Sequence, residues 1–299
     1  MIEVLAGILA PVFLITGLGF VWTKLGLPVE RVVITRLVMN VATPCLIIDS
    51  VANLGLPLGD FVTILIGALL LLAGCALGGA LILGIFRLPQ RSFLPALVFG
   101  NAGNIGLPLS YFALGDDGLG LSSGILLTAV VLQFTLAPAL QGQAPALRTL
   151  LSTPVVYASA LGVTLLATDG GLPFWLAASV ELLADVAIPL SLLTLGFALA
   201  EFRIQRVPLA VGLGLGRIAL GFTLALVVSA LLGLDGVARS VLVLHGAMPT
   251  AIVCYLLADR YGRHPEDVAG IVLVSTLAAA LLMPLLVSYA LWLNGTLPT

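Results

Sequence analysis

An all-α polytopic membrane protein of ten transmembrane helices is the fold class that three features of this 299-residue chain predict. The first is composition: 61% of residues are hydrophobic and 9% are charged, against about 25% charged in ordinary soluble domains. The second is that ten apolar runs can be marked along the chain, each near the roughly 20 residues needed to cross a hydrocarbon core of about 30 Å. The third is that the runs are continuously apolar rather than alternating. That suits helices, which satisfy their own backbone hydrogen bonds, and excludes a β-barrel. The same composition excludes a soluble globular domain and a disordered chain. A net charge of −2 with no basic patch excludes a nucleic-acid partner. Cys45, Cys75 and Cys254 lie within apolar runs and read as small core residues, not as a disulfide framework or metal site.

In chain order the runs are 2–22, 32–51, 60–86, 92–113, 119–140, 149–168, 174–200, 207–232, 238–258 and 267–293. The first is preceded by Met1-Ile2-Glu3, which lacks a basic n-region, so it is expected to be a retained helix and not a cleaved leader. In the second, Arg36 sits one turn inside and can snorkel to the interface. Asp49 near its far end is expected to be wet. The fourth contains Gly100-Asn101-Ala102-Gly103-Asn104-Ile105-Gly106-Leu107-Pro108. Three glycines, two asparagines and a proline so close together cannot sustain a regular helix. The fifth carries Gln133, whose amide can hydrogen-bond a carboxylate. The ninth is interrupted at His245-Gly246-Ala247-Met248-Pro249-Thr250, and the tenth carries Ser275 and Thr276, which can bond their own helix backbone.

Between the runs lie short clusters of Gly, Pro and charge, at 24–31, 87–91, 116–118 and 201–206. With ten passes, the loops after runs 1, 3, 5, 7 and 9 share a side. That side holds Lys24, Arg31, Arg87, Arg91, Arg148, Arg203, Arg206, Arg260 and Arg263, and the opposite side holds only Arg239. Positive residues mark the cytoplasmic side, so both termini are expected outside.

The chain also repeats itself. Asn40-Val41-Ala42-Thr43-Pro44 in the second run and Asp185-Val186-Ala187-Ile188-Pro189 in the seventh stand 145 residues apart. The same offset lays runs 1–5 on runs 6–10. The expected units are 1–145 and 146–299, and an odd number of passes in each inserts them with opposite orientation. Inverted repeats with broken helices at the midplane are a common construction of secondary transporters. Breaks at membrane depth are tolerated where the freed groups are buried or line a wet cavity. The positive N-terminal ends of the half-helices, with free N–H donors, suit a carboxylate. Asn101, Asn104, Gln133, Met248, Pro249 and Thr250 are therefore the candidate substrate-binding residues.

Ionisable groups inside the runs are functional candidates by default. Asp185 lies mid-run, as a proton carrier or as part of a structural network. Glu181, one turn earlier on the same face, reads as solvated. Arg217, in the middle of the eighth run, is a coupling candidate that attracts an anion or balances charge when the cargo leaves, or else pins two helices. His245 opens the ninth-run break, as a buried neutral imidazole or as a proton site. His264 falls in a charged loop. There is no nucleophile-elbow pattern, zinc-ligand spacing or phosphate loop, so neither an enzyme nor an ATP-driven pump is expected, and no cofactor or metal is implied.

At the two breaks the chain resembles the auxin efflux carrier family, which contains bacterial organic-acid permeases and plant PIN-type carriers. The resemblance rests on the stretch from Asn101 to Pro108 and on Ala247-Met248-Pro249-Thr250-Ala251 followed by Leu257-Ala258-Asp259-Arg260-Tyr261. Ile34-Thr35-Arg36 with Pro44, and Asp185 with Leu195-Gly196, agree with it. It implies two inverted five-helix repeats with helices 4 and 9 crossed at their breaks. Helices 1, 2, 6 and 7 would form a scaffold and dimer surface, and helices 3–5 and 8–10 a transport domain moving as an elevator. The short link 141–148 lacks the long central loop of the plant branch, which favours a bacterial permease in the inner membrane. The combined expectation is a homodimeric carrier of small organic anions, coupled to protons. A sodium-coupled symporter or cation/proton antiporter of related fold, a membrane metabolite sensor that moves nothing, and an intramembrane enzyme are the alternatives. The antiporter reading is weakened because the breaks hold Asn and His but no acid.

Overall fold

In the computed structural model, residues 2–144, 147–168 and 170–295 are described. Among them the secondary structure is helical, apart from one isolated antiparallel bridge between Gly100 and Thr250. Seven helical stretches are long and apolar enough to cross a membrane: Glu3–Lys24, Arg31–Ala52, Leu58–Ile85, Ala102–Leu140, Phe174–Glu201, Val207–Leu231 and Pro265–Leu293.

Helix α1 spans Ile2–Lys24. The second apolar run becomes α2 (Arg31–Leu37) and α3 (Thr43–Ala52), joined by a wide π turn over Val38–Ala42. Pro44 has no N–H to offer the Asn40 carbonyl, and the widened turn absorbs the missing bond. Helix α4 runs over Leu58–Ile85 and α5 over Gln90–Val98. After α5 the chain is extended at Phe99, turns tightly at Asn101, and then makes a second π turn over Ala102–Gly106. Helix α6 covers Leu107–Leu140 and turns sharply at Gly115, with φ 69° and ψ −156°. The loop expected at 116–118 is thus a single-residue hinge, and Asp116 and Asp117 already begin the next helical stretch, where acids suit the N-terminal end.

The run expected at 149–168 is divided. A short α7 (Leu147–Leu151) stops where Pro154 opens α8 (Pro154–Ala167). At 14 residues, α8 is about 21 Å long, short of a full bilayer core. The seventh run is α9 (Phe174–Asp185) and α10 (Ala187–Glu201), broken at Val186. Pro189 denies a partner to the Asp185 carbonyl as Pro44 does to Asn40. Helix α11 covers Val207–Leu231, α12 Gly236–Gly246, α13 Ile252–Arg260 and α14 Pro265–Leu293.

Close packing positions these pieces. Against α10, α1 comes near enough that a side chain on Gly196 would meet the backbone of Thr16, Gly19 and Phe20, the close approach that small residues permit between membrane helices. One buried cluster joins α3, α4 and α6 through Ile47, Phe61, Ile64 and Leu121. A second gathers Phe93, Leu97, Phe99, Val268 and Ile271 around the start of the fourth run. At the loop end of α14, Asp267 accepts from Arg206, and this partner holds the Arg206 guanidinium above its ordinary pKa.

Candidate functional site

The two interrupted runs meet at their breaks. Asn101 N–H donates to the Pro249 carbonyl at 2.8 Å, and Ala251 N–H donates to the Phe99 carbonyl at 3.0 Å. Both segments are extended there because their prolines and glycines cannot keep the helical ladder, so each supplies the backbone partners that the other lacks. Thr250 adds two bonds: its hydroxyl donates to the Ala96 carbonyl at 2.9 Å, and its N–H donates to Ser275 Oγ at 3.1 Å. Met248 is buried with Ile105, Leu109 and Leu244.

Asn101 is turned inward. Its Oδ1 accepts from Asn104 N–H at 3.3 Å, capping the π turn, and its buried Nδ2 has no protein partner. His245 packs its ring against Gly106, where a side chain would collide with it. Ser122 Oγ hydrogen-bonds with His245 Nε2, and Ser110 Oγ lies 3.4 Å from the same nitrogen. Arg217 is fully buried beside the crossing and donates from Nη1 to the Gly246 carbonyl at 3.2 Å.

Next to the crossing is a cavity of about 350 Å³. One wall is Thr35, Arg36, Asn40 and Thr43 from the second run, with Ile188 and Ser191 of α10. The other wall is Gly103, Asn104 and Leu107 from the fourth-run break, Leu126, Gln133 and Phe134 of α6, and Val253 of α13. The cavity therefore sits where four interrupted runs, the second, fourth, seventh and ninth, face one another. Its polar groups are three amides, Asn40, Asn104 and Gln133, with hydroxyls around them. Arg36 is the one charged side chain among its lining residues. Amides offer both donors and acceptors, and a guanidinium pairs well with a carboxylate. The chemistry of this lining suits a small anion with an apolar body.

The structure distributes the expected residues unevenly. Asn104 and Gln133 line the cavity. Asn101, Met248, Pro249 and Thr250 form the crossing behind it and do not line it. His245 and Arg217 are buried at the crossing. Asp185 is exposed at the end of α9, outside the lining, although Ala187 and Ile188 just beyond it belong to it. Asn40 and Arg36 were not among the candidates. Asn40 had a usable signal, since it stands four residues before Pro44, where a helix in the bilayer loses a carbonyl partner. Arg36, whose depth in the run suits snorkelling to the interface, lines the cavity instead. Among the described residues, no group of three or more His, Cys, Asp or Glu could hold a metal ion.

Compared with known families, the chain matches a family described as membrane transport protein over residues 143–287. No curated protein matches the chain.

Proposed function

Because the chain belongs, over residues 143–287, to the auxin efflux carrier family of membrane transport proteins, we propose that it is a secondary transporter of small organic anions. The observation that carries the substrate class is the cavity between the second, fourth, fifth, sixth, seventh and ninth runs, with three amides and Arg36 in its lining and no acid among the lining residues. A carboxylate entering it would exchange water for Asn and Gln N–H donors and for the Arg36 guanidinium. The N-terminal end of the π turn over Ala102–Gly106 would add partial positive charge.

In this reading the chain crosses a bacterial inner membrane ten times, as inverted repeats 1–145 and 146–299, with both termini outside. The scaffold comprises α1–α3 and α8–α10, pairs with a second copy, and stays fixed. The transport domain comprises α4–α6 and α11–α14 and carries Asn104 and Gln133 past it as an elevator. The cavity is supported as the loaded site because its two walls fall on opposite sides of that division. Protons drive the cycle, with Asp185 and His245 as the groups to test.

Flux in proteoliposomes is the direct test. Purified protein is reconstituted and offered labelled mono- and dicarboxylates with and without a pH gradient. Gradient-driven accumulation of an acid, abolished in the Asn104→Ala/Gln133→Ala double variant, is the expected result. Binding without flux would replace transport by a sensing role. Flux untouched by the double variant would move the site elsewhere.

A further inference from the structure

Helix α11 carries a charge into the interior of a candidate span. Arg217 is 1% exposed, and charge at such depth is costly unless it is paired or hydrogen-bonded. Among the described residues, no carboxylate stands within ion-pair distance of it. Its Nη1 donates to the Gly246 carbonyl, and its Nε has no partner. Gly246 is the last residue of α12, so the accepting oxygen is one of the carbonyls left over at a helix C-terminus. The guanidinium also reaches the other break. Nη2 occupies the place where a side chain on Gly100 would stand, and Nη1 occupies that of Gly221. Helix α5 ends at Val98, two residues before Gly100. The C-terminal end of α12, with roughly half a negative charge, therefore meets the buried cation directly, and the end of α5 lies close by, two residues before the Gly100 against which Nη2 packs.

We propose that the Arg217 guanidinium stands in the place of a coupling cation at the crossing, so that the cycle requires no sodium ion there. The proposal deepens the transport reading above and rests on it. In crossed-helix transporters, half-helix C-terminal ends and unwound carbonyls at the midplane are the groups that coordinate a sodium ion. An ion at that position must arrive and depart in each cycle. Arginine keeps its charge on burial and is covalently held, so the C-terminal end of α12 is neutralised in every state. Gly100 and Gly221 supply the room that a planar guanidinium needs and a monatomic ion would not. Replacing Arg217 by a small side chain should return both the room and the Gly246 carbonyl to an inorganic cation.

The experiment is thermal melting of the purified chain in choline chloride and in sodium chloride at equal ionic strength. The unaltered protein should melt at the same temperature in both, and a sodium-dependent rise overturns the proposal. Arg217→Ser should melt lower in choline and recover by about 3 °C or more in sodium. A folded Arg217→Ser with no sodium response overturns it. If Arg217→Ser does not fold, Arg217→Lys and Arg217→Met decide. Both fill the volume, but only lysine supplies a cation, so Lys should melt above Met, and Met equal to or above Lys overturns the proposal. Melting requires no transported anion. Failure of the flux assay would therefore remove the transport reading while leaving the cation result readable.

Discussion

Asn101 and Asn104 stand three residues apart and have separate roles. Asn101 is buried, and its Oδ1 caps the turn from which Asn104 projects into the cavity. Removing a cap of this kind costs about 1 kcal/mol. Asn101→Ala should therefore lower the melting temperature by about 2–4 °C and weaken anion binding only through Asn104. Asn104→Ala should leave melting almost unchanged and reduce affinity about tenfold, the worth of one hydrogen bond to a charged group. Melting curves and a binding titration on the two variants check this, and the opposite pattern would relocate the site. At this scale the chain was partly legible. A cluster of Gly, Asn and Pro in an apolar run announces a break, but not which amide faces the cavity, because that depends on the path of the unwound backbone.

Prolines make the breaks readable at the level of elements. Pro44 and Pro189 each remove the N–H that a carbonyl four residues back would use, and the helix opens at each place. Contacts between helices are harder to read. Gly196 is one of 33 glycines in the chain, and nothing in its neighbours distinguishes it from Gly212. The packing does: a side chain on Gly196 would meet the backbone of α1, whereas one on Gly212 would meet nothing within 4 Å. Gly196→Ala should lower stability by about 1–3 kcal/mol. Gly212→Ala should be neutral or stabilising by up to about 1 kcal/mol. Melting of the two alanine variants side by side tests the α1–α10 contact, and equal behaviour would disprove it. The hinge at Gly115 also escaped the sequence, because one glycine in a conformation closed to other residues does what a three-residue loop was expected to do.

For the whole molecule, the two ends of the cavity region differ. Where α3 finishes, Gly55 N–H donates to Asp117 Oδ1 at 2.9 Å, and Ser50 and Ser123 share a hydrogen bond of 3.0 Å. These contacts tie α3 and its following loop to α6. At the other end, where α2 and α8 begin, Thr35, Arg36 and Thr153 line the cavity. The molecule is thus latched at one end and hollow toward the end that carries most of the Lys and Arg. A single cysteine at Asn40, in a chain with Cys45, Cys75 and Cys254 replaced by alanine, should react with an impermeant maleimide from the cytoplasmic side alone. Adding Asp117→Ala should slow that labelling about twofold or more, as the unlatched protein spends time in the opposite state. Labelling from the outer side, or a rate indifferent to Asp117, would refute this account of the latch.

By itself the sequence determined the helical membrane class, the breaks of the fourth and ninth runs, and a transport family. These follow from local quantities: apolar length against bilayer thickness, lost N–H donors at proline, and motif residues in fixed order. Only the tertiary structure decided that Asn40 and Arg36 join Asn104 and Gln133 around one cavity, and that Arg217 ends between the C-termini of α5 and α12. Those outcomes depend on the crossing of segments about 150 residues apart in the chain, where backbone groups freed in one run are satisfied by the other. No single run contains that information, because each break is stable only in the presence of its partner.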